Sequence, residues 1–371
     1  MTAIIDADGH FIEPLNLWEK YIDPKYRDRC LSFTQNDQGV YSIEADGFKV
    51  PYNVGELLSV LVGYGQKEDG KGLGSFEFEE FFGEDLFDMS DRVQFLDDEG
   101  FESQIIFPSI GLITDATVRD PELSAAHCRA YNRWTYEVCA PHKGRLYPMG
   151  HVSLRDPQSA VTELEWLAEQ GARGAFIGAM PIDGKSFGHP DYDPVWAVAE
   201  SLDLAINLHL VIHPYYTGHE WHREPTPDFM FVSMSCIQDP RMALTTMVYD
   251  GVLERFPKLK VAIVESGSGW VVEWIDRLDY RFSYMGHTSE MKRPASEYFE
   301  RNIWISADPD ERILPYMVEL LGDEKFFIGS DYPHAEGFVS PVASARKTLA
   351  RSTPKQVERI LGANAARFYG L

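Results

Sequence analysis

Two short segments rich in metal-binding residue types follow apolar runs near the two ends of the chain. Residues 6–10 read DADGH, and residues 329–334 read GSDYPH. Because side chains alternate between the two faces of a strand, Asp6, Asp8 and His10 would project on one side and could meet a single ion. In a closed barrel the first and last strands are neighbours, so the two segments can share one site. The pattern therefore predicts a metallo-enzyme.

Other short, β-prone apolar runs between these segments also end in polar residues. His209 ends one run, Glu265 follows another, and Asp331 follows the last. Active sites of (β/α)8 barrels lie at the carboxyl ends of their strands, which is where these residues fall. Helical patterns are clearest over 156–170 and 240–256. We therefore predict an α/β fold, a (β/α)8 TIM barrel with strands over 3–10, 104–107, 146–153, 174–178, 204–209, 260–264, 303–306 and 326–330.

Four longer motifs carry a family resemblance. They are FGHPDYDPVW at 187–196, GVLERFPKLK at 251–260, GSGW at 267–270 and NAARFYGL at 364–371. Together with the strand-end residues, they resemble the amidohydrolase superfamily, in the branch that holds the aminocarboxymuconate-semialdehyde decarboxylase-like and resorcylate decarboxylase-like enzymes. The resemblance spans nearly the whole chain. It implies a single barrel domain over 1–371 with a metal site at its mouth.

The resemblance also implies a set of metal ligands. Members usually carry His-x-His or Glu-x-His on the first strand, where this chain has Asp8 and His10, so Asp8 takes the place of the first ligand. His209 matches the fifth-strand ligand, and Asp331 matches the eighth-strand aspartate, which binds metal and can also move protons. Carboxylate and imidazole ligands together suit Zn²⁺, Mn²⁺ or Fe²⁺. Asp6 is the alternative ligand on the first strand.

Glu265 departs from the family pattern, because many members have a histidine at the end of the sixth strand. It adds a further carboxylate to the same centre, and crowded carboxylates without a cation repel and raise the pKa of at least one of them. One divalent ion would remove this conflict, and two would remove it more completely. Glu265 is therefore predicted to be a ligand and a catalytic residue. The alternative is a structural pair with Arg277 or Arg281.

Three further histidines are candidates for proton transfer or for support of the ligands. His334 follows Asp331 on the same loop and is predicted to be catalytic, as is Asp331 itself. His213 and His151 are the other candidates. On a straight strand, at roughly 3.3 Å per residue, His213 would lie about 13 Å from His209, which is too far to share an ion unless the chain turns.

Two insertions distinguish the chain from a minimal barrel. Residues 15–90 form a predicted cap after the first strand, with phenylalanines clustered between Phe76 and Phe87, and the long loop 214–237 after the fifth strand contains Trp221. Long loops in a compact domain are usually functional or disordered, and aromatic content argues against disorder. We expect both to wall a pocket for a bulky or partly hydrophobic substrate. The alternative is a dimer contact.

Composition narrows the range of partners. A net charge of −24 argues against nucleic acids and anionic membranes, which require clustered Lys and Arg. The 4 cysteines lie far apart without a CxxC motif, which favours reduced thiols. Neither a signal peptide nor an apolar run of roughly 18 residues is evident. We expect a cytoplasmic homo-oligomer, a dimer, that acts on a small organic molecule.

Three functions are consistent with these residues. The leading one is a metal-dependent hydrolase or non-oxidative decarboxylase that acts on a carboxylated or cyclic organic substrate at the barrel mouth. The second is a non-haem oxygenase, possibly with two iron ions, because Asp8, Glu265 and Asp331 with His10 and His209 supply the mixed ligands that iron favours. The third is a binding protein without catalysis.

Overall fold

The computed structural model describes residues 3–36, 41–49, 61, 64, 89–213 and 237–371, and it has an α/β architecture built on parallel strands. The strands are β1 (Ile5–His10), β2 (Ser32–Gln35), β3 (Tyr41–Ala45), β4 (Phe48–Lys49), β5 (Ser103–Phe107), β6 (Leu146–Pro148), β7 (Gly150–His151), β8 (Gly174–Gly178), β9 (Ala205–His209), β10 (Val261–Val264), β11 (Ile303–Ala307) and β12 (Phe326–Ile328). The α-helices are α1 (Leu17–Tyr21), α2 (Met89–Glu99), α3 (Thr114–Thr117), α4 (Pro121–Cys139), α5 (Pro157–Glu169), α6 (Asp193–Ser201), α7 (Gln238–Tyr249), α8 (Val252–Arg255), α9 (Val271–Met285), α10 (Ala295–Asn302), α11 (Leu314–Leu321), α12 (Pro341–Thr348), α13 (Pro354–Glu358) and α14 (Asn364–Tyr369).

The parallel strands follow one another in the order that was predicted. One sheet has the order β1-β5-β6, and the other has the order β7-β8-β9-β10-β11-β12. Met149 alone separates β6 from β7, so these two are halves of one interrupted strand. At the far edge the chain returns to β1: the Tyr332 carbonyl accepts from the His10 amide, and the Asp8 carbonyl accepts from the Asp331 amide, both at 2.8 Å. The carboxyl ends of β1 and β12 are therefore adjacent.

Burial explains why these runs are strands. Every residue of β5, β8, β9, β10, β11 and β12 is buried, as expected of parallel strands covered by helices on one side and by the core on the other. The helix after β7 begins as predicted, because Asp156 accepts from the amides of Gln158 and Ser159 and Pro157 occupies the first turn. These buried strands and the helices that cover them fix the positions of the strand ends, and therefore of the polar residues located there.

Three local features differ from the sequence prediction. The strand expected over 146–153 is interrupted at Met149, and the antiparallel sheet β2-β3-β4 was not predicted. The helix expected over 240–256 is divided into α7 and α8. Gly251 separates them with a φ of 72°, a left-handed conformation that interrupts helical geometry.

Parts of the predicted insertions lie outside the described residues. These parts include the phenylalanine cluster from Phe76 to Phe87 and the loop residues 214–236. Within the first insertion, Tyr64 is described: its amide donates to the Pro333 carbonyl at 3.1 Å and its hydroxyl donates to the Phe338 carbonyl at 3.0 Å. This part of the insertion therefore contacts the loop that follows β12.

No helix in the described ranges combines the length and the apolar character that crossing a membrane requires. Of the cysteines in those ranges, Cys30, Cys128 and Cys139 are buried and free, in agreement with the expected reduced thiols. The dimer, the cytoplasmic location and the single-domain boundaries stay predictions.

Candidate metal centre

The end of β1 places a carboxylate and an imidazole side by side in the interior. Asp8 is 3% exposed and His10 is fully buried. The Nδ1 of His10 lies 2.8 Å from the Pro108 carbonyl, which can only accept, so Nδ1 carries the proton and Nε2 keeps its lone pair. That Nε2 lies 3.5 Å from Asp8 Oδ1. Burial lowers the pKa of His10 to about 4, which keeps the imidazole neutral.

His209, at the end of β9, repeats this arrangement. Its Nδ1 donates to the Leu210 carbonyl at 2.7 Å, so Nε2 points inward. That Nε2 lies 3.0 Å from Glu265 Oε2 and 3.8 Å from Asp8 Oδ1. Burial opposes protonation of His209, but the neighbouring carboxylates raise its pKa to about 10. A proton or a metal ion is thus strongly favoured between His209 and these carboxylates.

Two acidic residues reach the centre from left-handed backbone conformations. Glu265 follows β10 with a φ of 52°, and Asp331 lies beyond β12 with a φ of 54°. Non-glycine residues adopt this region at a cost, and active sites are among the places where such strained residues cluster. Asp331 Oδ1 lies 3.4 Å from His10 Nε2. Burial raises the pKa of both carboxyls. The pKa of Glu265 is raised further by Asp331, and that of Asp331 by Glu336 and Asp8.

Five inward-facing atoms in this region share one property. Each is buried and makes no hydrogen bond within the described part of the chain: Asp8 Oδ1, His10 Nε2, His209 Nε2, Glu265 Oε2 and Asp331 Oδ1. Buried polar atoms without partners are costly and are rare in native proteins. The ligand atoms of Asp8, His10 and His209 lie within 4.8 Å of one another. The residues present therefore fit a divalent cation by donor type, by burial and by their unmet need for a positive charge.

His334 joins this centre through Asp331. Its ring stacks on that of His10, with the ring centroids 3.9 Å apart. The Ser109 hydroxyl donates its one proton to the Phe11 carbonyl, so Ser109 Oγ can only accept from His334. His334 Nε2 therefore carries a proton and donates it to Ser109 Oγ at 2.7 Å. Nδ1 of His334 then faces Asp331 Oδ1 at 2.9 Å with a lone pair. Two acceptors at this distance require a proton or a cation between them.

Comparison with known proteins gives this geometry a context. The Amidohydro_2 family, described as amidohydrolase, matches residues 5–371. The chain belongs to this amidohydrolase family. This match confirms the resemblance to the amidohydrolase superfamily that the sequence motifs indicated.

One curated relative of this amidohydrolase is the 2-amino-3-carboxymuconate-6-semialdehyde decarboxylase of Dictyostelium discoideum, with 27% identity. The alignment covers 63% of this chain and 64% of that relative, which is less than two thirds of its length. An amidohydrolase from Mycobacterium avium subsp. paratuberculosis K-10 has the same fold, with a TM-score of 0.84, 24% identity, and coverage of 100% of this chain and 99% of the other.

A third similar structure is a dihydroxybenzoic acid decarboxylase from Polaromonas sp. JS666 with bound manganese and the inhibitor 2-nitroresorcinol. It has a TM-score of 0.65 and 16% identity, and the alignment covers 100% of this chain and 98% of that one. At this identity the likeness establishes the fold alone.

The amidohydrolase keeps three other predicted or suspected polar residues away from this centre. Asp6 accepts from Gln104 Nε2, from the amide and hydroxyl of Ser330, and from the Asp8 amide. A register shift between Asp6 and Gly9 separates Asp6 from the pair Asp8 and His10, so the expectation that all three meet one ion is wrong. His213 Nε2 contacts Asp239 Oδ2 at 2.9 Å, and His151 Nε2 lies 3.4 Å from Asp115 Oδ2. Neither histidine is among the ligand groups of the described residues.

The alternative partner for Glu265 is also absent. Arg277 pairs with Glu273, and Arg281 contacts Tyr284. The turn after β10 is held instead by Glu311, whose carboxylate accepts from the amides of Ser268 and Gly269 and from the Ser268 hydroxyl.

Two acidic residues near this centre were missed at the sequence level. Asp308 follows β11 directly, and burial together with Glu311 and Glu265 raises its pKa to about 7. The same strand-end rule that selected Glu265 would have found it. Glu336 places a ligand atom near those of Glu265, Asp331 and His334. It lies two residues beyond His334 on the same loop, where spacing gives no signal.

Proposed function

We propose that this amidohydrolase is a metal-dependent, non-oxidative decarboxylase of an aromatic carboxylic acid, built on one (β/α)8 barrel domain over residues 1–371 with residues 15–90 as a cap. The observation that carries the proposal is the convergence, near the strand ends, of five buried donor atoms that make no hydrogen bond to any residue the structure describes. The relatives described above that are named for a reaction are decarboxylases, one of them with bound manganese.

The ion would be held by Asp8, His10, His209 and Asp331. Glu265 would lie next to the ion. The His10 and His209 rings are fixed by Nδ1–H bonds to backbone carbonyls, which leaves each Nε2 as a lone-pair donor. Mixed oxygen and imidazole donors suit Mn²⁺, Fe²⁺ or Zn²⁺. When bound, the ion supplies a positive charge that anchors a substrate carboxylate and a neighbouring hydroxyl.

Asp331 and His334 hold the proton that decarboxylation needs. Ser109 fixes the His334 tautomer, so the proton lies between His334 Nδ1 and Asp331 Oδ1. We infer that the ring carbon bearing the carboxylate takes this proton. The bond from that carbon to the carboxylate then breaks, its electron pair returns to the ring, and carbon dioxide leaves. One proton replaces one carbon dioxide, so no oxidant is required.

Product analysis separates this proposal from hydrolysis and from oxygenation. The purified chain, supplied with Mn²⁺, would be incubated in D2O with a panel of ortho-hydroxybenzoic acids, and products would be read by NMR and by released carbon dioxide. We expect one deuterium at the vacated ring carbon and equal rates with and without O2. The corresponding esters and amides would be incubated in parallel, and their cleavage without carbon dioxide would support a hydrolase. A strict need for O2 would support the oxygenase alternative, which none of the three relatives described above supports.

A matched pair of variants tests the residues. His334→Gln should lower turnover strongly while the chain still binds Mn²⁺. Asp310→Asn removes an exposed carboxylate from the loop after β11 and should leave turnover unchanged. Equal activity in the wild type and in His334→Gln would contradict the proposed proton donor.

A further inference from the structure

Arg92 is a buried cation that lies behind the metal centre. It belongs to α2 and is 6% exposed. Among the described residues, the hydrogen bonds of its guanidinium go to the Gln104 side chain and to two main-chain carbonyls, not to a carboxylate. A buried charge is costly unless it is paired and hydrogen-bonded. A buried arginine that spends its donors on main-chain carbonyls therefore points to a role beyond the packing of α2.

The guanidinium joins the two segments of the chain that carry His10 and Asp331. Its Nη2 donates to the His10 carbonyl at the end of β1. Its Nη1 donates to Gln104 Oε1 at 2.9 Å and lies 3.5 Å from the carbonyl of Tyr332, the residue after Asp331. Because a guanidinium is planar and rigid, it fixes the two carbonyls relative to each other.

This link crosses a gap between the two parallel sheets. In the described ranges β1 and β12 form no hydrogen-bonded ladder, and β1 meets the loop after β12 at an isolated bridge between Gly9 and Tyr332. Beside this bridge the His10 amide donates to the Tyr332 carbonyl at 2.8 Å. Arg92 reaches the same Tyr332 carbonyl and also the His10 carbonyl, so it closes a hydrogen-bonded ring across the gap.

Helix α2 also holds the side chain of Tyr332. The Arg92 guanidinium lies 5.0 Å from the centroid of the Tyr332 ring, and the Phe95 ring stacks on it with the centroids 3.9 Å apart and an interplanar angle of 14°. Phe95 follows Arg92 by three positions, so the two lie on one face of the helix. Asp331 precedes Tyr332 with a φ of 54°, a conformation that persists only where its surroundings hold it. Arg92 and Phe95 supply part of that support.

We propose that Arg92 is a positioning residue of the metal centre, because it holds the end of β1 and the loop after β12 at the separation that one ion requires. His10 Nε2 and Asp331 Oδ1 lie 3.4 Å apart. Two donors bound to one ion at about 2.1 Å lie about 3 to 3.5 Å from each other. This role rests on the proposed function, since it concerns the ion proposed there. The link between the two carbonyls, and not the positive charge of Arg92, maintains the separation.

Two substitutions separate the link from the charge. Arg92→Met removes both, whereas Arg92→Lys keeps the charge but has a single nitrogen, which cannot bridge the two carbonyls. Calorimetry would measure the affinity of each chelator-stripped protein for Mn²⁺, and electron paramagnetic resonance would report the geometry of the bound ion. Both variants should bind Mn²⁺ about tenfold or more weakly than the wild type, as is typical when a residue that orients metal ligands is replaced. At saturation their spectra should differ from that of the wild type.

Three results would overturn the proposal. The first is wild-type affinity in Arg92→Met. The second is wild-type affinity in Arg92→Lys with a loss in Arg92→Met, which would show that the charge suffices. The third is a lower melting temperature in both variants with unchanged Mn²⁺ affinity and an unchanged spectrum, which would leave Arg92 with a structural role alone.

An arginine with similar contacts elsewhere gives the matched control. Arg133 on α4 donates to Glu163 Oε1 at 2.6 Å, and its guanidinium lies 3.4 Å from the centroid of the Trp166 ring. Arg133→Met should lower the melting temperature, because it removes the same kinds of contact. Its Mn²⁺ affinity and spectrum should match those of the wild type. A tenfold loss of affinity in Arg133→Met would show that general destabilisation weakens the ion, and would overturn the specific role of Arg92.

A milder variant keeps the test decisive if the Arg92 variants fail to fold. Phe95→Leu removes the ring that stacks on Tyr332 and should weaken Mn²⁺ binding by about threefold, part of what an aromatic pair contributes. Unchanged affinity in Phe95→Leu would then overturn the hold of α2 on the loop after β12.

Release of carbon dioxide by the wild type separates this role from the proposed function. Decarboxylation by the wild type, with unchanged Mn²⁺ affinity in Arg92→Met, would overturn the role of Arg92 and leave the function standing. Tight Mn²⁺ binding by the wild type without any release of carbon dioxide, and weak binding in both Arg92 variants, would support the role of Arg92 and overturn the function.

Discussion

Two neighbouring layers of polar residues near β1 and β12 are both largely buried but differ in their hydrogen bonding. The structural layer is Asp6, Gln104 and Ser330, and the residues of the proposed metal site, here called the metal layer, are Asp8, His10, His209, Glu265 and Asp331. In the structural layer the Asp6 carboxylate accepts four hydrogen bonds, two of them from Ser330. In the metal layer every residue has an inward atom with no hydrogen bond in the described ranges.

The difference shows that burial and residue type do not separate structural from functional carboxylates here. Asp6 and Asp8 lie on the same strand, and both are almost fully buried. Asp6 joins β1 to the residues after β12, while Asp8 leaves Oδ1 facing two imidazoles. Completeness of hydrogen bonding is the property that distinguishes them, because a buried polar atom without a hydrogen bond is costly and several such atoms of ligand type meet at one point.

The largest expected effect lies in the metal layer. Asp331→Asn should lower turnover by about 1,000-fold, within the range that general acids contribute, because it removes the carboxyl proposed to share the proton with His334. The unfolding free energy of the metal-free protein should not fall, since burial and neighbouring acids already disfavour the charged form of Asp331. Turnover and thermal melting would be compared with those of Asp310→Asn. A parallel loss of stability would erase the distinction between the two layers.

Asp6→Asn should have the opposite profile. An amide offers one acceptor and turns its NH2 group toward donors, so the unfolding free energy should fall by about 3 kcal/mol. Mn²⁺ affinity should change little, because Asp6 is not in any ligand group that the described residues form. Denaturant unfolding and Mn²⁺ titration of the same variant would measure both. Unchanged stability with lost metal binding would move Asp6 into the metal layer.

Removal of the metal tests the metal layer as a whole. Mn²⁺ at about 100 times its Kd should raise the unfolding free energy by about 2.7 kcal/mol, because the ion binds the folded state. This gain in unfolding free energy should persist in Asp6→Asn and disappear in His10→Gln, which removes the proposed imidazole ligand. Melting with Mn²⁺ and with a chelator gives the comparison. An equal gain in His10→Gln would exclude His10 as a ligand.

The smallest expected effect is on the pH dependence of stability, and it concerns a buried histidine whose two ring nitrogens are both hydrogen-bonded. His127 Nε2 accepts from the Leu31 amide and Nδ1 donates to the Leu123 carbonyl, and burial lowers its pKa to about 4. The pKa of His127 is lower in the folded state than in the unfolded state, so neutral His127 contributes to stability. That contribution is complete above about pH 6.5 and is lost as the pH falls toward 4. At pH 5 the loss should be about 2 kcal/mol.

Denaturant unfolding across this pH range would measure the loss. His127→Gln should flatten the pH dependence, while exposed His287→Gln should leave it as in the wild type. A slope unchanged in His127→Gln would show that another group titrates in this window.

The sequence identified much of the fold because its signals are local. Apolar runs marked the positions of the eight central strands, and the polar residues at their ends selected Asp8, His10, His209, Glu265 and Asp331, which the structure brings together. Strand-end position sufficed for these residues because parallel strands put all their carboxyl ends at one face. The same strand-end position also identifies Asp308, which follows β11.

Partners drawn from different strands could not be read from local pattern. Tertiary contacts decided that Ser330 and Gln104 satisfy Asp6, that Glu311 rather than an arginine holds the turn of Glu265, and that His213 pairs with Asp239. Alternation along a strand fixes the face of a side chain but not the donor it meets. The amino-acid sequence by itself therefore determined which polar residues reach this end of the molecule, and contacts between strands decided which of them were left without a hydrogen-bond partner in the described ranges.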